Sequence, residues 1–247
     1  MDLWDIQKDV VDRLIESYSK VDVVIAGASY SGLMAALKLS EEGYRVLVVE
    51  HNPGITPLAY YGGLWGHVVL SKDVEKIPSL LKSVFETSYG YIINSLELYS
   101  KIIAKIYENN STIMLGYRVE PVFEYIDSEL EITGAHLKPS SEEEGAKSKL
   151  FIKAKYIIDS SGLEAYVSLN VIEVLRPGVV PQGVGPIIPF SKEIVERTGW
   201  LIEDSIIVTG LAASNIYGSA LPFPDVAPLL ESGVKAYRLI KESERAD

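Results

Sequence analysis

The sequence predicts an α/β fold of the Rossmann-like type, in which helices cover a parallel sheet that carries an antiparallel β-meander. An apolar run, a turn of small residues, a helical pattern and a second apolar run follow one another over residues 21–50. Apolar and polar residues alternate over 119–125 and 130–137, which indicates two antiparallel strands. Further short apolar runs are typical of buried strands; they occupy 112–115, 156–159 and 206–210.

The turn at residues 27–32 carries the first candidate binding site. Gly27 permits a sharp exit from the strand, and Gly32 permits close packing of the helix on the sheet. The amides that open this helix suit a pyrophosphate, although Ser29 stands where such turns usually have glycine. Glu50 ends the second strand at close to the spacing of about 20 residues expected for a ribose-binding acid. The alternative is a βαβ unit that binds nothing. The residues assigned here are Gly27, Ala28, Ser29, Tyr30, Ser31, Gly32 and Glu50.

Composition excludes several classes of function. The chain has 247 residues, of which 47% are hydrophobic, so it can bury a full core. Its net charge of -11 argues against nucleic-acid binding, and the lack of cysteine excludes disulfides and thiolate chemistry. No run is long enough for a membrane span, and residues 1–20 are too charged for a signal peptide, so we expect a cytoplasmic protein. The absence of cysteine, with abundant Ile, Lys and Glu, also suggests a thermophilic source.

The remaining segments fit one domain over residues 1–247. An amphipathic helix is predicted over 4–19, where it docks on the domain, and the β-meander is inserted at about 119–153. The loop 51–67 is rich in glycine, proline and aromatic residues, which is typical of a loop that closes over a ligand, although a structural loop is the alternative. Other predicted elements are helices at 73–85, 96–109 and from about 225, a strand at 150–153, a polar loop at 139–149 and an irregular loop at 176–190.

Two further turns are candidate ligand contacts. The strand 156–159 stops at Ser160, Ser161 and Gly162, which resembles the second ligand-contacting turn of FAD/NAD-binding sheets of the glutathione-reductase type. The last strand is followed by Gly210 and Leu211, where flavoproteins of this fold usually carry Gly-Asp. We therefore assign Ser161, Gly162, Gly210 and Leu211 to the cofactor site.

Four segments together resemble the thiazole synthase family of thiamine biosynthesis. They are residues 22–50, the GGLWG sequence at 62–66, KAKYIIDSSG at 153–162 and the segment 208–236. Members of that family bind NAD, release nicotinamide, and join the ADP-ribose carbons to glycine and sulfur to form an adenylated thiazole. Archaeal-type members use free sulfide and a ferrous ion and form homo-octamers. The resemblance implies an adenine dinucleotide ligand and self-association.

The family's nucleotide-binding positions are largely preserved. The resemblance assigns them to Ser31, Glu50, His51, Val119 and the Gly62-Gly63 pair. His51 occupies a position where the family usually has arginine.

The family's reactive positions are changed. Its iron ligands correspond to Ser148 and Leu163, its sulfur-donor position to Ala146, and its glycine-binding arginine to Leu221. Leucine and alanine cannot ligate iron, and a neutral side chain cannot replace a guanidinium that grips a carboxylate. We therefore expect no iron and assign no catalytic residue. His67 and His136 are candidate ligands of an altered site, but a solvated or core position is the better interpretation of each.

Three functions follow as hypotheses. The chain binds NAD or an NAD-derived adenylated ligand with its thiazole-forming chemistry lost or altered, or it is an active sulfide-dependent thiazole synthase, or it is a small FAD-dependent oxidoreductase. FAD is the less favoured ligand because Gly210 is followed by leucine instead of aspartate.

Overall fold

The computed structural model describes residue 13 and residues 17–55, 66–72, 81–82, 84–126, 129–140 and 149–246. Most of the predicted helix 4–19 therefore lies outside the described residues. So do Gly62 and Gly63 with most of the loop 51–67, and Ala146 and Ser148 in the polar loop.

The central feature is a six-stranded sheet with five parallel strands. The order is β11-β12-β10-β1-β2-β6, and only the edge strand β11 runs antiparallel to its neighbour. The inner strands are continuous apolar runs because both faces of the sheet are covered. The six strands are β1 (Val23–Ala26), β2 (Val46–Glu50), β6 (Thr112–Leu115), β10 (Tyr156–Asp159), β11 (Gly199–Ile202) and β12 (Ile206–Val208).

Two apolar layers enclose this sheet. On one face, Val23 and Ile25 of β1 pack in a cluster with α1 (Tyr30–Glu41), α2 (Ser95–Glu108) and α6 (Ala227–Ala246). On the other face, Val24 and Ala26 pack with the meander and with two helices, α3 (Tyr166–Leu175) and α5 (Gly210–Tyr217). Alternate side chains of one short strand thus serve both cores.

The predicted antiparallel meander is present and longer than expected. It consists of β7 (Tyr117–Ile126), β8 (Glu129–Pro139) and β9 (Leu150–Lys153), in that spatial order. Val119, Leu137 and Ile152 face the sheet from it and are buried. The meander therefore covers one face of the parallel sheet.

A second antiparallel sheet was not predicted. It contains β3 (His67–Ser71), β4 (Val84–Glu86) and β5 (Gly90–Asn94), in the order β3-β5-β4. Most of the predicted helix at 73–85 lies outside the described residues, and it is wrong at its end, because residues 84–85 belong to β4. Thr87 turns the chain here by donating from its amide to the Gly90 carbonyl at 2.7 Å, which pairs two segments rich in β-branched and aromatic residues.

The last buried strand is shorter than predicted. It ends at Val208, and Gly210, with φ +62°, begins helix α5 instead of ending the strand. Helices α3 and α4 (Glu193–Arg197) were also not predicted. The final helix begins at Ala227, whose amide donates to the Asp225 carboxylate at 3.0 Å. None of the described helices has both the length and the apolar character needed to cross a membrane.

Ionisation of the buried tyrosine Tyr30 is expected to reduce the stability of the fold at alkaline pH. Its hydroxyl lies 2.6 Å from the Ser95 hydroxyl, and burial raises its pKa from 10.0 to about 12, although the Ser95 contact lowers it. The unfolded chain therefore loses this proton first, so stability is present below pH 10 and declines as the pH rises toward 12. We expect Tyr30→Phe to reduce that decline by up to about 3 kcal/mol. Urea unfolding at pH 9 and pH 12 measures it; an equal decline in both proteins would contradict the prediction.

Candidate functional site

The carboxyl ends of four neighbouring parallel strands meet at one edge of the sheet. β1 leads into the turn at Gly27, β2 ends at Glu50, β10 leads into Ser160, and β12 leads through Thr209 into α5. Ligands of open α/β sheets bind at this edge. The strand order therefore brings together candidate residues from four separate parts of the sequence.

The turn after β1 is pressed against the end of β10. The Ser160 amide donates to the Ala26 carbonyl at 2.9 Å, and the Ser160 hydroxyl lies 2.7 Å from the Gly27 carbonyl. A Cβ on Gly27, where φ is +98°, would stand 2.6 Å from the Ser160 carbonyl oxygen. A Cβ on Gly32 would meet the Ser160 hydroxyl and the Gly27 carbonyl. Protein packing alone therefore requires both glycines.

Ser29 shapes the start of α1. Its hydroxyl accepts a hydrogen bond from the Gly32 amide at 3.2 Å and lies 3.0 Å from the Ser31 hydroxyl. Ser31 is 1% exposed and packs against Gly210, so Ser29 is the partly exposed hydroxyl of the pair. First-turn amides have no partner within a helix and carry partial positive charge, which suits an anion. Ser29 thus replaces the usual glycine with a hydroxyl that caps the helix.

Glu50 joins this turn to the segment after β2. One carboxylate oxygen accepts from the Ala28 amide at 2.9 Å, and the other accepts from the amide and the side chain of Asn52, both at 2.9 Å. His51 Nδ1 lies 3.1 Å from the second oxygen. Among the described residues, the Ala28 amide is the protein donor to the first oxygen, Oε2, so this oxygen retains acceptor capacity for a ribose hydroxyl. Asn52 was not identified from the sequence.

Asp159 organises the turn after β10. It is fully buried, and its carboxylate accepts from the Ser161 amide at 3.0 Å, the Ser161 hydroxyl at 2.6 Å and the Ser168 amide at 2.7 Å. The Ser161 hydroxyl also accepts from the Tyr166 amide at 3.1 Å. Ser161 therefore supports the turn, in which Gly162 has φ +77°.

A polar cluster at the outer end of this edge was not predicted from the sequence. It contains Arg118, Glu164 and Tyr166. Arg118 precedes Val119 in β7, and its guanidinium carbon lies 5.6 Å from the centre of the Tyr166 ring. Burial raises the pKa of Tyr166, and Asp159 and Glu50 raise it further, while the Val119 backbone and Arg118 lower it. No local pattern indicates this cluster, because its members come from different strands and helices.

The positions implied for iron and glycine binding have other roles. Leu163 is 47% exposed, and its carbonyl accepts from the Asn215 side chain at 2.8 Å. Leu221 is 8% exposed and belongs to a core cluster, as does Leu211. Leucine at position 163 offers no donor atom, so this residue does not fit the implied iron site.

His67 and His136 lie in the two antiparallel sheets. His67 begins β3, and the His136 ring in β8 packs edge-on against Phe151 at 5.7 Å. Across the parts of the chain that the structure describes, no three His, Asp or Glu side chains are grouped to hold a metal ion.

Two open grooves lie at the opposite end of the sheet. They measure about 490 Å³ and about 350 Å³, and both include Asp22 and Lys155, which precede β1 and β10. They are therefore separate from the edge that carries the candidate nucleotide site.

Known proteins resemble the chain over nearly its whole length. Residues 5–221 match the model described as the Thi4 family. Thiamine thiazole synthase of Archaeoglobus fulgidus is 26% identical, with 96% of this chain and 94% of that protein covered. Thiamine thiazole synthase of Pyrobaculum aerophilum is 28% identical, with 94% and 92% covered. The crystal structure of Thermovibrio ammonificans THI4 superposes with a TM-score of 0.84 at 22% identity and covers 99% of both chains. The chain therefore belongs to the Thi4 family, the thiazole synthase family of thiamine biosynthesis.

Proposed function

We propose that this Thi4-family protein binds an adenine dinucleotide, either NAD or an NAD-derived ADP-ribose or adenylated thiazole. The observation that carries the proposal is the junction between Ala28 and Glu50, which sets a carboxylate beside the amides that open α1. The amides suit the pyrophosphate, and the free acceptor capacity of Glu50 suits the adjacent ribose. The proposal includes a cytoplasmic location for the protein.

The thiazole-forming reaction is lost or altered on the same proposal. Leu163 offers no metal donor, and Leu221 packs in the core instead of presenting a cation to a carboxylate. The bound dinucleotide would supply ADP-ribose carbons for such a reaction, but the residues implied for sulfur transfer and glycine binding do not fit those tasks. The residues that bind and orient the nucleotide are independent of this change.

An active sulfide-dependent thiazole synthase is the second candidate function. Family membership favours it, since the thiamine thiazole synthases of Archaeoglobus fulgidus and Pyrobaculum aerophilum align over more than nine tenths of this chain and of their own length. Such an enzyme would need ligands other than those implied by the resemblance.

Self-association belongs to the proposal as well. Phe85 is 62% exposed, Leu96 is 63% exposed and Tyr89 is 73% exposed, and the Tyr89 ring stacks with Phe190 at 6.4 Å. Exposed large apolar side chains, two of which stack on each other here, are typical of protein contacts. Further copies of this chain, up to an octamer, are the partner that we propose.

Mass spectrometry tests ligand and assembly together. The native mass of the purified protein gives the number of copies, and denaturation releases the ligand for identification. NAD, ADP-ribose or an adenylated thiazole supports the proposal, whereas FAD would indicate an oxidoreductase. Incubation with NAD, glycine, sulfide and ferrous ion then separates the two candidate functions; formation of a thiazole would contradict the loss of chemistry.

Glu50→Ala should weaken binding of ADP-ribose about thirtyfold, because it removes the ribose acceptor and leaves the Ala28 amide without its partner. Glu50→Gln keeps one acceptor oxygen and should lose less. Glu42→Ala, at an exposed carboxylate that pairs with Lys241, is the matched control and should bind normally. Isothermal titration calorimetry measures the three affinities. An unchanged affinity in Glu50→Ala would place the nucleotide elsewhere.

A further inference from the structure

Arg118 is the loosely held member of the polar cluster. Across the described residues its ion-pair partner is Glu164, at 3.7 Å, and the other carboxylate oxygen of Glu164 lies 3.9 Å from His51 Nε2. Both distances exceed those of hydrogen bonds. The Arg118 and Glu164 side chains are 49% and 52% exposed, so each can change partners with little loss of interaction energy.

The surroundings of Arg118 are firmly held. The Tyr166 ring beneath its guanidinium is anchored through its own amide to Ser161, which in turn is bound to Asp159. Glu50 and His51 approach the same ring from the end of β2, with the His51 ring 6.3 Å from that of Tyr166. The guanidinium of Arg118 can therefore reorient above a tyrosine ring and beside carboxylates whose positions are fixed.

We propose that Arg118 recognises the adenine base of the nucleotide by stacking its guanidinium on one face of the purine. This inference rests on the proposed function. Glu50 would mark the position of the adenosine ribose. The base joined to that ribose would then lie toward the Tyr166 ring, which both His51 and Arg118 approach. On binding, the guanidinium exchanges its long contact with Glu164 for the purine face.

The chemistry of the cluster favours a base over a second phosphate. A planar guanidinium stacks on aromatic rings, which an ammonium does less well. A 2′-phosphate at the same place would lie between the carboxylates of Glu50 and Glu164, where like charges repel it. Arg118 is therefore a specificity residue for the purine in a ligand without a 2′-phosphate.

The test compares Arg118→Ala, Arg118→Lys and Glu164→Ala. Arg118→Ala should weaken ADP-ribose binding about tenfold, and Arg118→Lys should recover little of this affinity because an ammonium stacks less well than a guanidinium. Glu164→Ala should tighten binding about two- to threefold by removing the competing partner. Arg238→Ala, at an exposed arginine of α6, makes the same charge change and should bind normally. Calorimetry with ADP-ribose gives each affinity.

A spectroscopic measurement separates stacking from a structural role. The fluorescence of 1,N6-etheno-ADP-ribose should be quenched on binding to the parent protein and quenched less at saturation in Arg118→Ala. Full recovery of affinity in Arg118→Lys would overturn stacking in favour of charge alone. Equal binding and equal quenching in the parent and Arg118→Ala would overturn this inference and leave the nucleotide site intact. A parent that binds no ADP-ribose would instead overturn the proposed function itself.

Discussion

Replacing Gly27 by alanine is expected to lower the free energy of unfolding by about 4 kcal/mol. Two effects add at this position. The residue has φ +98°, which is unfavourable for any side chain by about 1–2 kcal/mol. The new Cβ would also stand 2.6 Å from the Ser160 carbonyl oxygen and 2.9 Å from the Ser161 Cα, and forcing such atoms apart costs about 1–3 kcal/mol.

Gly43→Ala is the matched control for this change. Gly43 has φ +88°, but no atom lies within 4 Å of the position that its Cβ would take. It should therefore lose only the conformational part, about 1–2 kcal/mol. Urea unfolding of both variants measures the difference. Equal losses would show that the turn after β1 is not crowded by the end of β10.

Asp159→Ala is expected to lower the free energy of unfolding by about 3–4 kcal/mol. The substitution removes the acceptor for three donors in a fully buried place and leaves the Ser161 and Ser168 amides without partners. Asp159→Asn keeps one acceptor oxygen and should lose about 2 kcal/mol.

Amide hydrogen exchange gives a local measurement of the same change. Exchange at the Ser161 and Ser168 amides should become faster in Asp159→Ala. Exchange at amides of α2, on the other face of the sheet, should change only as far as the loss of global stability requires. Unchanged exchange at these two amides would contradict the assigned role of the carboxylate.

The parallel sheet could be predicted because its signals are local. The run before Gly27 and the helix after it are contiguous in the sequence. The three strands β1, β2 and β10 are apolar except for the acidic residue that ends β2 and β10, so burial and chain order can be inferred together. The meander was predictable for a similar reason, since alternation of apolar and polar residues needs no knowledge of distant segments.

The rest depends on contacts between distant residues. β4 has three residues, too few to show a period, and its pairing with β5 decides its conformation. The predicted strand does not reach Gly210 because that glycine adopts φ +62° against Ser31, which lies 179 positions earlier in the sequence. Arg118 and Tyr166 likewise meet only because β7 and α3 lie on the same face of the sheet.

The support of the first turn by Ser160 affects how the protein is made. Ser160 follows Gly27 by 133 positions, so the groups that shape the turn are synthesised long after it. A growing chain that has released only its first βαβ unit presents an unsupported loop to a nucleotide. A nucleotide bound at the proposed site would therefore not guide early folding and would instead stabilise chains in which β10 has already been made.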